Sequence, residues 1–355
     1  MKYKYEKKTA KTVEQYFKLL KKGHVYANLP KALMVQAIAK FESELGKDEY
    51  FDAIYARTIL GGDYPAEKQQ KAFKIIADLA EKGNVIALNV MAVEYYNGQF
   101  VEKDYERAYE YALASHNKGY VVATANLGIT YYSGRGVECD PKRGLEYYKT
   151  AAKQGVAAAQ FRYGQALYEA YACGKDLKGA IKWFNKAAKQ GNAYALRNLG
   201  HLYYSGEGVK QDYKKAFEYY NQSLENGLPD KYKGYILNKI GVMLANGYGV
   251  EKNALKALNY FQRAADLGES YGYYNLGVCY GGGYGLKVDS VKSHENYKIA
   301  MNMGHEDAAI QLGKIYPSFC PYCKSFDSVE REETALYSRL VCRKCGKNKS
   351  YDLKI

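Results

Sequence analysis

The stretch AYALRNLGHLYYSGEGVKQDYKKAFEYYNQSLENG, residues 193–227, decides the fold. Its first half places apolar residues at helical spacing on one face: Ala195, Leu199, Leu202 and Tyr203. Two glycines in the segment 205–209 end this helix, because glycine tolerates positive φ. Asp212 then stands where a carboxylate caps a second helix that reaches Gly227. The stretch therefore predicts a helical hairpin.

This hairpin recurs along most of the chain. The glycine that closes each copy returns after 36 residues, with one interval of 41, at Gly83, Gly119, Gly155, Gly191, Gly227, Gly268 and Gly304. A second series keeps step with it, at Gly128, Gly164, Gly200, Gly241, Gly277 and Gly313, with Ala92 and Ala56 in the two earlier copies. Self-similarity at such a period is typical of stacked repeats. A hairpin cannot cover its own apolar side, so neighbouring copies are expected to stack into an elongated superhelix.

The segment LGHLYYSGEGVKQDYKKA, residues 199–216, resembles the Sel-1-like repeat, a relative of the tetratricopeptide hairpin. Residues 127–137 and 240–250 look like the same element, and the resemblance covers about residues 48–316. It implies an all-α fold, a right-handed αα superhelix used as an adaptor surface for other proteins or peptides. It does not imply a reaction.

Three domains are expected. Residues 1–47 predict an N-terminal helical cap, with helices in 9–22 and 30–45 but no glycine loop. Residues 48–316 predict a solenoid of about seven repeats, the last of them incomplete. In the copy at 156–191 the glycine pair is missing, so its loop geometry is open, and the five residues inserted near 229–233 predict a bulge or a turn of the superhelix.

Residues 317–355 predict a zinc ribbon. Four cysteines follow the C-x₂-C, 15–20 residues, C-x₂-C spacing of a four-thiolate zinc site: Cys320, Cys323, Cys342 and Cys345. Short strands are expected around 325–329, 335–341 and 350–355. A segment this small does not hold itself together by core burial alone, which favours a structural metal. Four thiolates leave no open coordination position for catalysis.

The spacing leaves other interpretations of these cysteines open. Iron in a rubredoxin-like site uses the same ligands. A redox pair explains two matched C-x₂-C motifs less well than one shared metal does. Disulfides need an oxidising compartment. The other cysteines, Cys139, Cys173 and Cys279, fall in different columns of the repeat, which favours a reducing environment.

A partner surface is expected on the first helix of each repeat, opposite its packing face. One column of this surface contains Asn126, Arg162, Asn198, Lys239 and Asn275, and another contains Tyr194, Tyr235 and Tyr271. Amide and guanidinium groups pair with a peptide backbone, and tyrosine supplies rigid contact area. The alternative is that the polar side chains are merely solvated and that the tyrosines pack between repeats.

Charge suggests a second function class. Of the formal net charge of +14, residues 1–31 contribute +7 through nine lysines and two glutamates, and residues 317–355 contribute +3. A basic end attracts nucleic acid or an acidic partner, so a nucleic-acid adaptor is the alternative to a protein scaffold. Its phosphate contacts would come from the lysine-rich start or from Arg343, Lys344, Lys347 and Lys349. A solvated, lysine-rich surface explains the same charge.

An enzyme is the least favoured class. The one serine motif of β-lactamase type, Ser115-His-Asn-Lys118, has neither S-D-N nor K-T-G beside it. The five histidines show no metal-binding spacing. We expect a non-catalytic, cytoplasmic protein, because no run of 18 apolar residues predicts a membrane span and no apolar segment follows the basic start.

Overall fold

The computed structural model describes residues 10–21, 31–282, 284, 286–315, 329–333, 338–342 and 348–349. The chain divides into two compact units, residues 1–196 and residues 197–355. Helical hairpins follow one another along each unit, which confirms the all-α repeat fold. None of the helices in the described ranges combines the length and the apolar character that crossing a bilayer requires.

The first unit contains helices α1 to α10 and the start of α11. Their bounds are α1 (Val13–Lys21), α2 (Lys31–Glu44), α3 (Glu49–Leu60), α4 (Ala66–Glu81), α5 (Val85–Asn97), α6 (Tyr105–Asn117), α7 (Val121–Ser133), α8 (Pro141–Lys153), α9 (Ala157–Glu169), α10 (Leu177–Lys189) and α11 (Ala193–Ser205). Helices α1 and α2 lie in the segments where the sequence predicts helices. From α3 onward, odd-numbered helices are the first helices of hairpins and even-numbered helices are the second.

The second unit contains the rest of α11 and the later helices. Their bounds are α12 (Tyr213–Glu225), α13 (Asp230–Asn246), α14 (Ala254–Asp266), α15 (Ser270–Tyr280), α16 (Ser290–Asn302) and α17 (Glu306–Ile315). The bulge expected near residues 229–233 is wrong. The inserted residues instead lengthen α13 to 17 residues, against 13 in α5 or α7, and Pro229 occupies its N-cap position.

A side-chain cap begins each second helix from α6 onward. The capping residue accepts a hydrogen bond from a backbone N–H of the first turn, at Asp104, Asp140, Asp176, Asp212, Asn253 and Asp289. The cap predicted at Asp212 is confirmed, since its Oδ1 lies 3.0 Å from the Lys215 nitrogen. These caps fix where the chain re-enters a helix after each loop.

Several loops between paired helices turn through left-handed backbone conformations. Gly134 and Gly136 have φ of 65° and 78°. In the repeat that lacks glycine, Ala170 and Ala172 adopt the same conformation, with φ of 58° and 60°. The α9–α10 loop therefore keeps the left-handed geometry of the α7–α8 loop at the expense of local strain, because Cβ disfavours this region.

The repeated glycine in the first helix permits close packing against an aromatic ring of the second helix. A Cβ added to Gly200 would lie 2.5 Å from the ring of Tyr220, and one added to Gly241 would lie 2.5 Å from the ring of Phe261. The copy with Ala92 instead has Ala112 at the position of the ring. In that copy, Ala92 takes the place of the glycine and Ala112 takes the place of the aromatic residue.

After the helices, the described residues include three strands. Strands β1 (Val329–Glu333), β2 (Ser338–Cys342) and β3 (Asn348–Lys349) pair antiparallel in the order β1-β2-β3. The register places Val329 opposite Cys342 and Asn348 opposite Val341. The strand predicted at 335–341 overlaps β2, and the one predicted at 325–329 meets β1 at Val329. Residues 325–328 and 350–355, which hold the rest of the first predicted strand and all of the third, lie outside the described residues.

Candidate functional site

Asparagine side chains join successive first helices. In the first unit, Asn126 of α7 donates its Nδ2 to Oδ1 of Asn89 on α5 at 2.8 Å. In the second unit, Asn275 of α15 donates in the same way to Asn238 on α13, also at 2.8 Å. Because an asparagine amide has two N–H donors, Asn126, which is half-buried, keeps donor capacity for another group.

The assignment of Asn275 to an exposed surface is wrong. Its side chain is only 7% exposed, and that of its partner Asn238 is 5% exposed. A buried amide needs a hydrogen-bond partner, and this pair satisfies each other inside the unit. Asn275 therefore holds α15 against α13 and is not available to a ligand.

The three predicted tyrosines have different surroundings. Tyr194 is half-buried and stacks on Phe161, with ring centroids 5.4 Å apart, as the packing alternative predicts. Tyr271 is 51% exposed and contacts His305 edge to face at 4.5 Å. Tyr235 is 38% exposed and lies beside His201 at 5.6 Å. Tyr235 and Tyr271 therefore remain accessible, whereas Tyr194 chiefly contributes to packing.

An apolar pocket of about 260 Å³ opens in the first unit between α5, α6 and α7. Its walls include Ala92, Val93, Ala108, Ala112, Ile129 and the predicted Asn126. The next repeat has Gly128 and Tyr148 at the positions of Ala92 and Ala112, and the Tyr148 ring packs directly against Gly128. Ala112 leaves the volume of that ring open to the cavity.

A second cavity, the tyrosine–arginine pocket, adjoins the first and shares Tyr96 and Ile129 with it. It measures about 250 Å³ and is lined further by Tyr132, Tyr148, Arg135, Arg162, Gln165 and Glu169. Arg162 donates to Oε1 of Gln165 at 3.1 Å, and Gln165 donates to Glu169 at 2.8 Å. Burial, together with the nearby Glu169 carboxylate, raises the pKa of Tyr132 to about 12, so its hydroxyl stays protonated.

Arg135 is fixed at the rim of the tyrosine–arginine pocket. Its Nη1 donates to the Tyr96 hydroxyl at 2.8 Å, and its guanidinium lies 5.4 Å from the ring centroids of both Tyr96 and Tyr105. The arginine is thereby positioned before any ligand arrives, which lowers the entropy cost of binding.

In the second unit, two cations lie among tyrosines on α11 and α13. This cationic patch consists of Arg197, Asn198, His201, Tyr204, Tyr232, Tyr235 and Lys239. The Arg197 guanidinium lies 4.5 Å from the Tyr232 ring and donates to Oδ1 of Asn198. The Lys239 ammonium lies 5.1 Å from the Tyr204 ring and 5.3 Å from the Tyr235 ring. The structure thus brings three predicted residues together: Asn198, Tyr235 and Lys239.

The pKa of His201 is set by its surroundings in the cationic patch. Its Nδ1 pairs with the Tyr220 hydroxyl at 2.9 Å. Burial, with the charges of Arg197 and Lys239, lowers the pKa of His201 to about 4. The imidazole is therefore neutral at pH 7, and the positive charge of the patch comes from the two cations.

The predicted metal ligands fall largely outside the described residues. Cys320, Cys323 and Cys345 lie there, and Cys342 is described only as the last backbone position of β2. Of the basic residues proposed for nucleic acid, Arg343, Lys344 and Lys347 also lie outside them, and Lys349 ends β3. The part of the chain that the structure describes contains no cluster of three or more potential metal ligands.

Sequence patterns missed most of the walls of the two cavities. A tyrosine recurs four residues after the glycine column, at Tyr96, Tyr132, Tyr168 and Tyr204, and this periodicity was the available signal. The replacement of a ring by Ala112 was equally visible in the aligned repeats. The resulting open volume depends on a contact between two helices, and a comparison of one position across the repeats does not reveal that contact.

Comparison with known proteins identifies the repeat. The Sel1 repeat model matches residues 85–119, 121–156, 157–192, 193–228, 237–269 and 270–305. The structure is similar to that of a protective antigen present in uropathogenic Escherichia coli strains, which displays an SLR fold. The TM-score is 0.63 at 24% identity, over 80% of this chain and 60% of that one. The chain thus spans less than two thirds of that antigen.

A Sel1 repeat protein from Oxalobacter formigenes is also similar, with a TM-score of 0.55 at 26% identity, over 70% of this chain and 96% of that one. No functionally curated protein matches the sequence. The six matched segments cover more than half of the chain and coincide with the hairpins from α5 to α16. The chain therefore belongs to the Sel1 repeat family.

Proposed function

We propose that the protein is a non-catalytic adaptor that binds a segment of another protein across the two adjoining pockets of its first unit. Sel1-repeat proteins generally serve as protein-interaction scaffolds. The observation that carries the proposal is the pairing of an apolar cavity with a polar one along neighbouring first helices.

The apolar pocket supplies an anchor. A dry cavity of about 150 Å³ is enough to bind benzene, so the 260 Å³ between α5 and α7 accommodates a large aliphatic or aromatic side chain. Interface energy concentrates at such anchors, where an apolar side chain is fully desolvated. The ligand segment is therefore expected to present one large apolar residue.

The tyrosine–arginine pocket supplies orientation. Arg135 is fixed by Tyr96, and Arg162 is fixed by Gln165, so both guanidinium groups are directed before binding. Glu169 adds an acceptor on the same wall. Groups of both signs within one pocket suit a main-chain segment with polar side chains, since a peptide carries donors and acceptors together.

One double substitution tests the proposal with little risk to the fold. The exchange A92G/A112Y gives this repeat the glycine and ring of its neighbour, where Tyr148 packs on Gly128, and so fills the apolar pocket. Peptides of twelve random residues, displayed on phage, are selected on the full chain and measured by isothermal titration calorimetry. We expect selected peptides to share a large apolar residue and to bind the double variant at least about tenfold more weakly.

The matched control is K142Q, at an exposed position of α8 outside both pockets. It is expected to leave peptide affinity within about twofold, as surface changes outside a contact usually do. Equal binding by a folded A92G/A112Y variant, or the failure of any peptide to be selected, contradicts the proposal.

The cysteine pairs are proposed to hold a structural zinc ion, with iron as the competing metal. Of the second pair, Cys342 ends β2, which pairs antiparallel with β3, and Cys345 lies outside the described residues. The register also places Val329, six residues after Cys323, opposite Cys342. Elemental analysis of the reduced full chain is expected to give about one zinc per chain, since four thiolates bind one ion. Less than half an equivalent of zinc or iron refutes the site, and C139S serves as the control.

A further inference from the structure

We propose that the cationic patch of the second unit binds the carboxylate of an Asp or Glu side chain within an acidic segment of a protein partner. This site extends the proposed adaptor function to a second surface. Its chemistry differs from that of the first-unit pockets, so the two proposals can fail separately.

The cationic patch occupies the same place in its repeats as the tyrosine–arginine pocket does in the first unit. Lys239 stands two residues before Gly241, as Arg162 stands two residues before Gly164. Tyr204 and Tyr220 likewise match the positions of Tyr132 and Tyr148. In both units, a cation of one repeat therefore faces tyrosines of the repeat before it.

The two places differ in whether the chain itself supplies a carboxylate near the cation. In the first unit, Gln165 connects Arg162 to Glu169 by two hydrogen bonds. The equivalent positions of α13 are Val242 and Asn246. Val242 has no polar side chain, and Asn246 donates its amide to a carbonyl of its own helix at 2.9 Å. The carboxylate that serves the first unit is thus missing beside Lys239.

Some lysines of the second unit have carboxylate partners. Lys215, Lys233 and Lys292 form ion pairs with aspartates of their own helix ends, Asp212, Asp230 and Asp289, at 2.7–3.5 Å. Among the described residues, neither Arg197 nor Lys239 forms such a pair. An anion from outside the chain supplies the missing charge at the patch.

The cations of the patch are held in place for that role. Arg197 is fixed by the Tyr232 ring and by the Asn198 amide oxygen, and Lys239 lies between two rings. Guanidinium binds a carboxylate through paired N–H donors, and an adjacent ammonium adds charge. Rings that immobilise both cations reduce the entropy lost on binding.

The same contacts favour an acidic protein segment over a nucleic acid. Single-stranded nucleic acid binds by stacking bases on aromatic faces along a charged groove. Here the faces of Tyr204, Tyr232 and Tyr235 already contact cations. Two cations also suit one or two carboxylates better than a continuous phosphate backbone.

The decisive variant restores the internal carboxylate. V242Q/N246E gives α13 the glutamine and glutamate that α9 presents to Arg162, and Asn246 is exposed. A fluorescein-labelled twelve-residue peptide of alternating Glu and Ala is titrated against the full chain by fluorescence anisotropy. We expect binding that weakens with added salt and no binding of the Gln–Ala counterpart.

V242Q/N246E, K239M and R197Q are each expected to weaken the Glu peptide at least about tenfold, because each removes or neutralises a cation facing it. K233Q, which loses a lysine already paired with Asp230, is expected to change affinity less than about twofold. A92G/A112Y is expected to have no effect, which separates this site from the first-unit pockets. The inference is overturned if the Glu peptide does not bind, if the folded V242Q/N246E and K239M variants bind it unchanged, or if a twelve-residue oligothymidylate displaces it at lower concentration.

Discussion

Replacing the two left-handed alanines by glycine is expected to stabilise the protein. An L-residue in the left-handed region costs about 1–2 kcal/mol relative to the right-handed helical region, and Ala170 and Ala172 have φ of 58° and 60°. Glycine avoids that strain but loses about 0.4–1 kcal/mol more backbone entropy on folding. The difference leaves a gain of about 0.5–1 kcal/mol per position, and about 1–2 kcal/mol for A170G/A172G if the two add.

The free energy of unfolding is measured by urea titration of the full chain, with hydrogen exchange at residues 166–176 as a local readout. The helix substitution A158G is the matched control, since Ala158 is exposed on α9 and glycine there is expected to destabilise by up to about 1 kcal/mol. The diagnostic result is a free energy of unfolding that rises in the loop variant and falls in the helix variant. A double variant no more stable than the wild type refutes the reasoning, because the alanines would then carry no strain.

Further predictions concern buried groups. Glu94 is 6% exposed, its Oε2 has no hydrogen-bond partner among the residues that the structure describes, and burial raises the pKa of its carboxyl. The native state therefore holds this proton more tightly than the unfolded chain, so stability falls as pH rises through the raised pKa. Glu94→Met should add about 1–2 kcal/mol at pH 7.5 and flatten that slope in denaturation series at different pH. Gly241→Ala should destabilise by about 1–3 kcal/mol, since its Cβ would meet the Phe261 ring, and adding Phe261→Ala should cost less than the sum of the single changes. A double-mutant cycle on Asn238 and Asn275 should give a coupling of about 0.5–1.5 kcal/mol, and a value near zero contradicts the amide pair.

The fold was predictable because the repeats share the same sequence features. The loop glycines, the capping carboxylate and the helical glycine recur at one spacing, and each has a local physical reason: positive φ, an unsatisfied N–H or a neighbouring ring. Six repeats of one pattern average out the ambiguity of any single copy. The exceptions lay where one copy departs from the others. At residues 229–233 the insertion extends a helix, whereas the sequence predicted a bulge or a turn of the superhelix.

The site was predictable only in part, because exposure depends on the neighbouring repeat. The column that contains Asn126 and Lys239 was assigned one role, yet Asn275 in the same column is buried. Its partner Asn238 lies in the preceding repeat, one residue before the position of this column. Whether an amide faces solvent depends on its contact with a residue of the neighbouring repeat. Comparing the same position in each repeat does not reveal that contact.

Stacked repeats let one backbone position carry different chemistry in successive copies. Between one pair of first helices, Ala112 leaves an apolar cavity. In the following repeat, Tyr148 fills that volume and Arg162 with Glu169 makes the wall polar. In the second unit, Tyr220 occupies that position again, but Asn246 stands where α9 has Glu169, and Lys239 forms no ion pair with a described residue. Because side-chain caps begin the second helices from α6 onward at equivalent positions, we expect such exchanges to cost the fold little. On the adaptor proposal, such exchanges change what the surface binds, so we expect function at the departures from the repeat pattern more than at the pattern itself.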